Sequence, residues 1–208
     1  MSFYKEDVYV DWIDQLASKD YVVIDNYLSS SLLNAVVHFF TDRLAEDDLK
    51  KAGIGSLGDH TINKNVRGDY VYWLSKENDD SLSEFFEQSQ EFIQKIKRYC
   101  FLSISDFECH LAYYPIGTGY KKHLDQFKGR DNRILSFVLY LNENWKMGDG
   151  GELIIHEAHK EIKIAPLNNR LILFNSATVV HEVAQTNQPR KSITGWMLNN
   201  PVGLGFLG

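Results

Sequence analysis

The sequence predicts an α+β chain, mainly β, in which a helical first half supports a sandwich or jelly roll built by the second half. Three observations carry this. Apolar residues recur at helical spacing through most of the first hundred residues, and in short alternating runs after about residue 106. Turn-forming clusters such as Gly148-Asp-Gly-Gly151 and Pro166 to Asn169 cut the second half into short segments. No repeat, low-complexity tract or Pro/Gly-rich linker divides the 208 residues, so 1–208 read as a single domain, with 1–100 as helical support and a loop and 101–200 as the β core.

The elements follow in order. Glu6 to Ala17 places Val8, Trp12, Ile13 and Leu16 on roughly one helical face. Tyr21 to Ile24 is a short strand. Ser29-Ser-Ser31 supplies an N-cap for a helix expected to reach about Lys51, carrying Leu32, Leu33, Val36, Val37, Phe39, Phe40 and Leu44, with Gly53 as its stop. Gly53 to Gly68 reads as a long loop. A further helix runs from about Ser81 to Tyr99, with Leu82, Phe85, Phe86, Phe92, Ile93 and Ile96 at core spacing. Candidate strands are Phe107–Tyr114, Ile134–Leu141, Glu152–His156, Glu161–Ile164, Arg170–Phe174, Thr178–Val183 and Arg190–Leu198. Seven short strands after a helical section suit a two-layer β core with helices on one face.

Composition excludes several classes. With 44% hydrophobic and 24% charged residues the chain is neither disordered nor collagen-like. Lys and Arg number 22 against 28 Asp and Glu, a net charge of −6 that argues against nonspecific nucleic-acid binding. The longest apolar runs, such as Ile134 to Leu141, are too short to cross a bilayer, so no membrane role is expected. MSFYKEDVYVDW has no apolar signal core, and two cysteines, Cys100 and Cys109, make neither a disulfide framework nor a four-cysteine metal site. The expected home is a reducing cytoplasm.

The seven histidines are not equivalent. His38 belongs to an amphipathic helix, His60 to the loop and His110 to a strand; His156 and His159 flank a turn and resemble a metal pair only superficially. His123 and Asp125 form His-x-Asp just after Gly117-Thr-Gly-Tyr120, and alternation along an extended chain puts both on one face. Alone, the pair is a weak signal, and an ordinary polar loop pair is the commoner reading. His181 changes that. It lies in the apolar run Thr178-Val-Val-His-Glu-Val183, on the face of Val179 and Val183 rather than Glu182, where an unpaired imidazole is costly. Two histidines and one carboxylate make the facial set of non-haem Fe(II) oxygenases, which leaves positions open for a chelating cosubstrate and for dioxygen.

Arg190 comes nine residues after His181. At period two, Arg190, Ser192, Thr194 and Trp196 share one face of the last strand, a poor apolar core but a good pocket lining. An arginine fork there binds a carboxylate in bidentate fashion. In the strand Ile134–Leu141, Leu135, Phe137, Leu139 and Leu141 form a wholly apolar face. Ile134, Ser136, Val138 and Tyr140 form the other, so Tyr140 can offer its hydroxyl to the pocket that Arg190 enters.

From about Arg67 to Trp196 the chain resembles the prolyl hydroxylase branch of the 2-oxoglutarate/Fe(II) dioxygenases, particularly the oxygen-sensing prolyl hydroxylases and their bacterial relatives. The segments that carry this are Arg67-Gly-Asp69 with Trp73, Tyr114-Pro115, Gly-Thr-Gly-Tyr-Lys-Lys-His-Leu-Asp125, Tyr140-Leu-Asn142 with Trp145, and Gly150-Gly151-Glu-Leu153. They continue with Asn169-Arg-Leu-Ile-Leu-Phe174, His181-Glu-Val183 and Arg190 to Trp196. The resemblance implies a double-stranded β-helix with helices outside its major sheet. It implies iron on His123, Asp125 and His181, and a 2-oxoglutarate distal carboxylate on Arg190 and Tyr140. Tyr114, Val138, Leu153, Thr194 and Trp196 fall on cosubstrate-pocket positions, and Arg67, Asp69, Tyr120 and Arg133 on the substrate side, with Gly53–Asp69 as a substrate lid. The reaction implied is hydroxylation of a prolyl residue in a protein substrate, using Fe(II), 2-oxoglutarate and O2 with ascorbate as reductant, and yielding succinate and CO2. The loop between Tyr114 and Tyr120 is one residue shorter than in the animal enzymes, and the ending after Leu198 differs from their helical tail; the minimal chain looks more like a bacterial relative.

Three other readings stand beside this one. A cupin-like dioxygenase or a zinc hydrolase would use His/His/Asp without 2-oxoglutarate, but would have no distal carboxylate for Arg190 to clamp. A non-catalytic binding module would not need complete ligands. The same fold could act on another amino-acid side chain or on nucleic acid; Lys121, Lys122, Lys128, Arg130 and Arg133 form a local basic cluster, which reads equally as a solvated rim or as a steering patch.

Overall fold

The computed structural model describes residues 2–52, 67–126 and 131–199. Most of the expected lid, the helix stop at Gly53, Lys128 and Arg130 lie outside the described residues.

Helix α1 (Glu6–Lys19) buries Tyr9, Ile13 and Leu16 and ends at Asp20, whose φ of 62° reverses the chain into β1 (Tyr21–Asp25). Helix α2 (Ser30–Ala45) starts where expected, with the Leu32 amide donating to Ser29 Oγ at 3.2 Å. It stops well short of Lys51. Glu46, Asp47 and Asp48 follow one another at its C-terminal end, where the helix dipole disfavours negative charge. Asp47 turns left-handed and Arg43 ties Glu46 and Asp48 back at 2.7 Å each. The chain then forms β2 (Lys50–Lys51), which pairs with β3 (Tyr70–Trp73), two strands the sequence reading lacks. A single 3-10 turn leads into α3 (Ser83–Cys100), close to the expected bounds.

The second half is β throughout: β4 (Asp106–Tyr114), β5 (Tyr120–His123), β6 (Arg133–Tyr140), β7 (Leu153–His156), β8 (Glu161–Ile164), β9 (Arg170–Asn175), β10 (His181–Val183) and β11 (Arg190–Leu198). The expected strand Thr178–Val183 shrinks to its last three residues, while Tyr120–His123 becomes a paired strand in its own right. All pairings are antiparallel and make two sheets, β1-β9-β6-β11-β4-β3-β2 and β5-β10-β7-β8. This is the expected double-stranded β-helix.

Period-two alternation decides the layers. On the major sheet Leu111, Leu135, Phe137, Leu139, Leu171, Leu173, Ile193 and Met197 face outward into one core with residues of α1, α2 and α3. The opposite face, with Val138, Tyr140, Ile172 and Phe174, packs against Leu153, Ile155 and Ile164 of the minor sheet in a second core. The helices thus cover one face of the major sheet and leave the other for a cavity between the sheets. Among the described residues no helix is long and apolar enough to cross a membrane.

Candidate metal centre

His181 on β10 stands opposite His123 on β5 in the antiparallel register, and Asp125 follows two residues after the β5 end. The close approach of the two strands needs Gly119, since a Cβ there would lie 2.6 Å from the Val183 carbonyl. The result is a cluster of ligating atoms all within 4.8 Å of one another, the only group of three of its kind among the described residues. Asp125 Oδ1 is 3.4 Å from His123 Nε2, and Oδ2 is 3.8 Å from His181 Nε2.

Outer contacts set the rings. His123 Nδ1 sits 2.7 Å from the Lys121 carbonyl and His181 Nδ1 sits 3.0 Å from that of Val179. A carbonyl only accepts, so both Nδ1 atoms carry the proton and both Nε2 lone pairs face the carboxylate. Ser136 Oγ donates to Asp125 Oδ2 at 2.6 Å and lies 2.8 Å from Ser176 Oγ. Burial opposes ionisation of Asp125, but the two imidazoles beside it, which favour its charged form when they are protonated, and the hydrogen bond from Ser136 outweigh it and hold the carboxyl well below its usual range. Burial lowers the pKa of His181. An ionised carboxylate and neutral imidazoles with inward lone pairs are what a divalent metal ion requires.

The cavity, about 40 Å3, runs from this cluster to Arg190. Arg190 is 3% exposed, yet no acidic side chain pairs with it among the described residues. Its Nε donates to the Gly151 carbonyl at 2.9 Å and an Nη to Ser192 Oγ at 3.2 Å, and its guanidinium lies 4.9 Å from the ring centres of both Tyr114 and Tyr140. Gly151 has φ of 75°, and a Cβ there would come 2.9 Å from Arg190 Cδ, so the glycine leaves the arginine room. The Tyr140 hydroxyl is fully buried beside that guanidinium without a hydrogen bond of good geometry; it does not rest on a backbone carbonyl. A buried cation with no counter-charge, next to a buried hydroxyl with no partner, is costly unless a ligand completes both. A carboxylate fits the pair.

The family model for the 2OG-Fe(II) oxygenase superfamily matches residues 109–198, the span from β4 to β11 that holds the ligating trio and Arg190. A Pseudomonas putida prolyl-4-hydroxylase of known structure is 31% identical and superposes with a TM-score of 0.84, with 93% of this chain and 100% of that one covered. The chain belongs to the 2OG-Fe(II) oxygenase superfamily. A Trichoplax adhaerens prolyl hydroxylase, solved with a hypoxia inducible factor oxygen degradation domain peptide fragment, is 26% identical with a TM-score of 0.85, covering 93% of this chain and 90% of that one. A Caenorhabditis elegans hypoxia-inducible factor prolyl hydroxylase is 27% identical over an alignment of 198 positions that covers 86% of this chain and about a quarter (26%) of that enzyme's length. Oxygenases of this superfamily work with Fe(II), 2-oxoglutarate and O2.

Of the residues singled out from the sequence of this oxygenase, the structure brings His123, Asp125, His181, Arg190, Tyr114, Val138, Leu153, Thr194, Trp196, Arg67, Asp69 and Tyr120 to the walls of one cavity. Tyr140 lies behind Arg190. Arg67 forms a two-pronged ion pair with Asp69 at 2.6 and 2.8 Å and lies over the Tyr120 ring. Arg133 is not part of a solvated rim: it is 8% exposed, stacks 3.4 Å from the Trp196 ring centre and meets Glu108 at 3.1 Å. His156 stands apart from the cavity, between Glu161 at 3.3 Å and Glu182 at 3.4 Å.

The sequence reading missed Ser136 as the Asp125 partner and His110 as a cavity wall. A lone serine on the inner face of an apolar strand is the signal that could have found the first. His110 carries a testable consequence. Burial, then Arg67 and Arg133 against the opposing pull of Asp69 and Asp125, push its pKa from 6.5 down to about 3. The unfolded chain therefore takes up a proton that the folded one refuses. This contribution to stability is whole above pH 6.5 and is lost as pH falls from there towards 3, at up to about 1.4 kcal/mol per pH unit. His110→Phe is expected to flatten the acid limb by about one proton in urea unfolding between about pH 7 and pH 4. An identical slope in wild type and variant would contradict the assignment.

Proposed function

We propose that this oxygenase hydroxylates a prolyl residue in a protein substrate. The observation that carries the reading is that the relatives matched along most of this chain, from Pseudomonas putida, Trichoplax adhaerens and Caenorhabditis elegans, are all prolyl hydroxylases by name. His123, Asp125 and His181 would hold Fe(II). Arg190, with Tyr140 and Thr194, would take the distal carboxylate of 2-oxoglutarate, between the side chains of Tyr114, Val138, Leu153 and Trp196. Bound iron, with 2-oxoglutarate and dioxygen, supplies the oxidation: the cosubstrate leaves as succinate and CO2, and one oxygen atom enters a substrate C–H bond.

The chain's own part is geometric. Ser136 and the two carbonyls aim the ligating atoms before any ion arrives. Arg190 fixes the far end of the cosubstrate, so its reacting end is positioned without further loss of freedom. Leu153, Val138 and Phe174 exclude water from the space between. Arg67, Asp69 and Tyr120 would form the substrate side, with Arg133 against the Trp196 ring. Two free cysteines, one buried and one partly so, suit a reducing cytoplasm, and the net charge of −6 favours a protein over a nucleic acid as substrate.

The test is incubation of the iron-loaded protein with a cell extract and 2-oxoglutarate, followed by peptide mapping of mass gains of one oxygen. Gains on proline are expected. Gains confined to another side chain or to nucleic acid would replace the prolyl reading.

A further inference from the structure

The cavity has two ends of different chemistry. Arg190 offers an unpaired cation at one. At the other, His110 on β4 and Trp196 on β11 lie with ring centres 5.5 Å apart, and Trp73, 52% exposed, packs on His110 at 4.8 Å. The pair therefore sits one aromatic ring in from solvent.

Both rings hold a buried nitrogen without a partner among the described residues, His110 Nδ1 and Trp196 Nε1. His110 is 1% exposed and Trp196 is 4% exposed. The neighbour of His110 favours one tautomer: Nε2 faces an Arg67 Nη in a long contact of 3.5 Å, and because a guanidinium only donates, that contact favours the lone pair on Nε2 and the N–H on Nδ1. Two buried N–H donors, on neighbouring rings of the cavity wall, are thus left without an acceptor among the described residues, against the general rule that such groups find one. The charges nearby are already matched, Arg67 by Asp69 and Arg133 by Glu108. This wall is a neutral donor surface, suited to a neutral acceptor; a carboxylate is better served at the Arg190 end.

We propose that His110 is a specificity-determining residue whose Nδ1–H, together with the Trp196 N–H, receives an amide carbonyl oxygen of the substrate peptide. The inference rests on the prolyl hydroxylase reading and adds to it a contact with the backbone of the substrate peptide.

The probe is a synthetic peptide spanning a proline that gains oxygen in the extract experiment. His110→Phe keeps the ring and its stacking but loses the donor, and is expected to raise the KM for this peptide about tenfold, the loss of one hydrogen bond, with kcat changed far less. His110→Asn returns an N–H close to the Nδ1 position and is expected to recover part of that loss. A merely structural role would lower kcat and melting temperature in both variants and give no recovery. The second measurement needs no variant. In Zn(II)-substituted wild type loaded with 2-oxoglutarate, 15N-labelled histidine should show an Nδ1–H signal for His110 that moves downfield when the peptide binds. A proton on Nε2, an Nδ1–H signal unmoved by bound peptide, or equal KM in wild type and His110→Phe overturns the inference while leaving prolyl hydroxylation standing. Absence of any oxidised proline with the wild type removes the parent reading, and this inference with it.

Discussion

His181→Ala is expected to lose metal and turnover together, with metal affinity falling by more than the 10- to 100-fold that loss of an outer contact typically costs. His181 is buried in the minor sheet, opposite His123 on one side and Ile155 on the other, with its ring edge-on to Phe174 at 4.6 Å. No other histidine, cysteine or acidic group among the described residues joins this cluster to replace it. Ser136→Ala supplies the comparison: it removes only the hydrogen bond that orients Asp125, so it should weaken the metal by about tenfold or somewhat more, within that outer-contact range. Metal content after dialysis and Mn(II) titration give the order wild type, Ser136→Ala, His181→Ala. Stoichiometric metal with normal turnover in His181→Ala would show the trio to be wrongly assigned.

The second large effect is expected at Arg190, and it separates this oxygenase from a metalloenzyme of the same shape that uses no 2-oxoglutarate. Hydrogen bonds to a charged group contribute roughly 1.5–3 kcal/mol each, and about 1.4 kcal/mol is a factor of ten. Arg190→Lys keeps the charge and loses the fork, so 2-oxoglutarate should bind about tenfold more weakly. Arg190→Ala leaves a buried carboxylate with no cation, and a loss of about a hundredfold or more is expected. Tyr140→Phe removes one hydroxyl and should cost several-fold. Metal affinity should hold in all three, because neither side chain is among the converging ligating atoms. The measurement is a 2-oxoglutarate titration of the Mn(II)-loaded variants without oxygen. Wild-type affinity in Arg190→Ala would defeat the cosubstrate assignment; selective loss with metal retained would exclude the cupin-like alternative.

How much of the fold and the site is legible in the sequence depends on the range of the forces involved. Strand parity is local. In β6 and β11 the period of two alone separates Leu135, Phe137 and Leu139 from Ser136, Val138 and Tyr140, and places Arg190, Thr194 and Trp196 on one face; the two cores confirm that division. A polar group in an apolar run is also local information, and it marks His181; the polar face of the last strand marks Arg190. The order and spacing of the family motifs add the double-stranded β-helix.

What the sequence leaves open depends on which strands become neighbours. The end of α2 falls earlier than expected because apolar spacing says nothing of the acidic run that halts the helix at Ala45, or of the pairing that draws Lys50–Lys51 onto β3. Arg133 reads as a surface cation until Trp196 and Glu108 arrive from β11 and β4 to cover and neutralise it. His110 is one histidine among seven until Arg67 favours one tautomer and Trp73 and Trp196 close over it. By itself, then, the sequence determined which side chains face inward, because alternation acts over a few residues. The tertiary structure alone decided which of them meet and which keep an unmet hydrogen bond, because both follow from contacts between residues tens of positions apart.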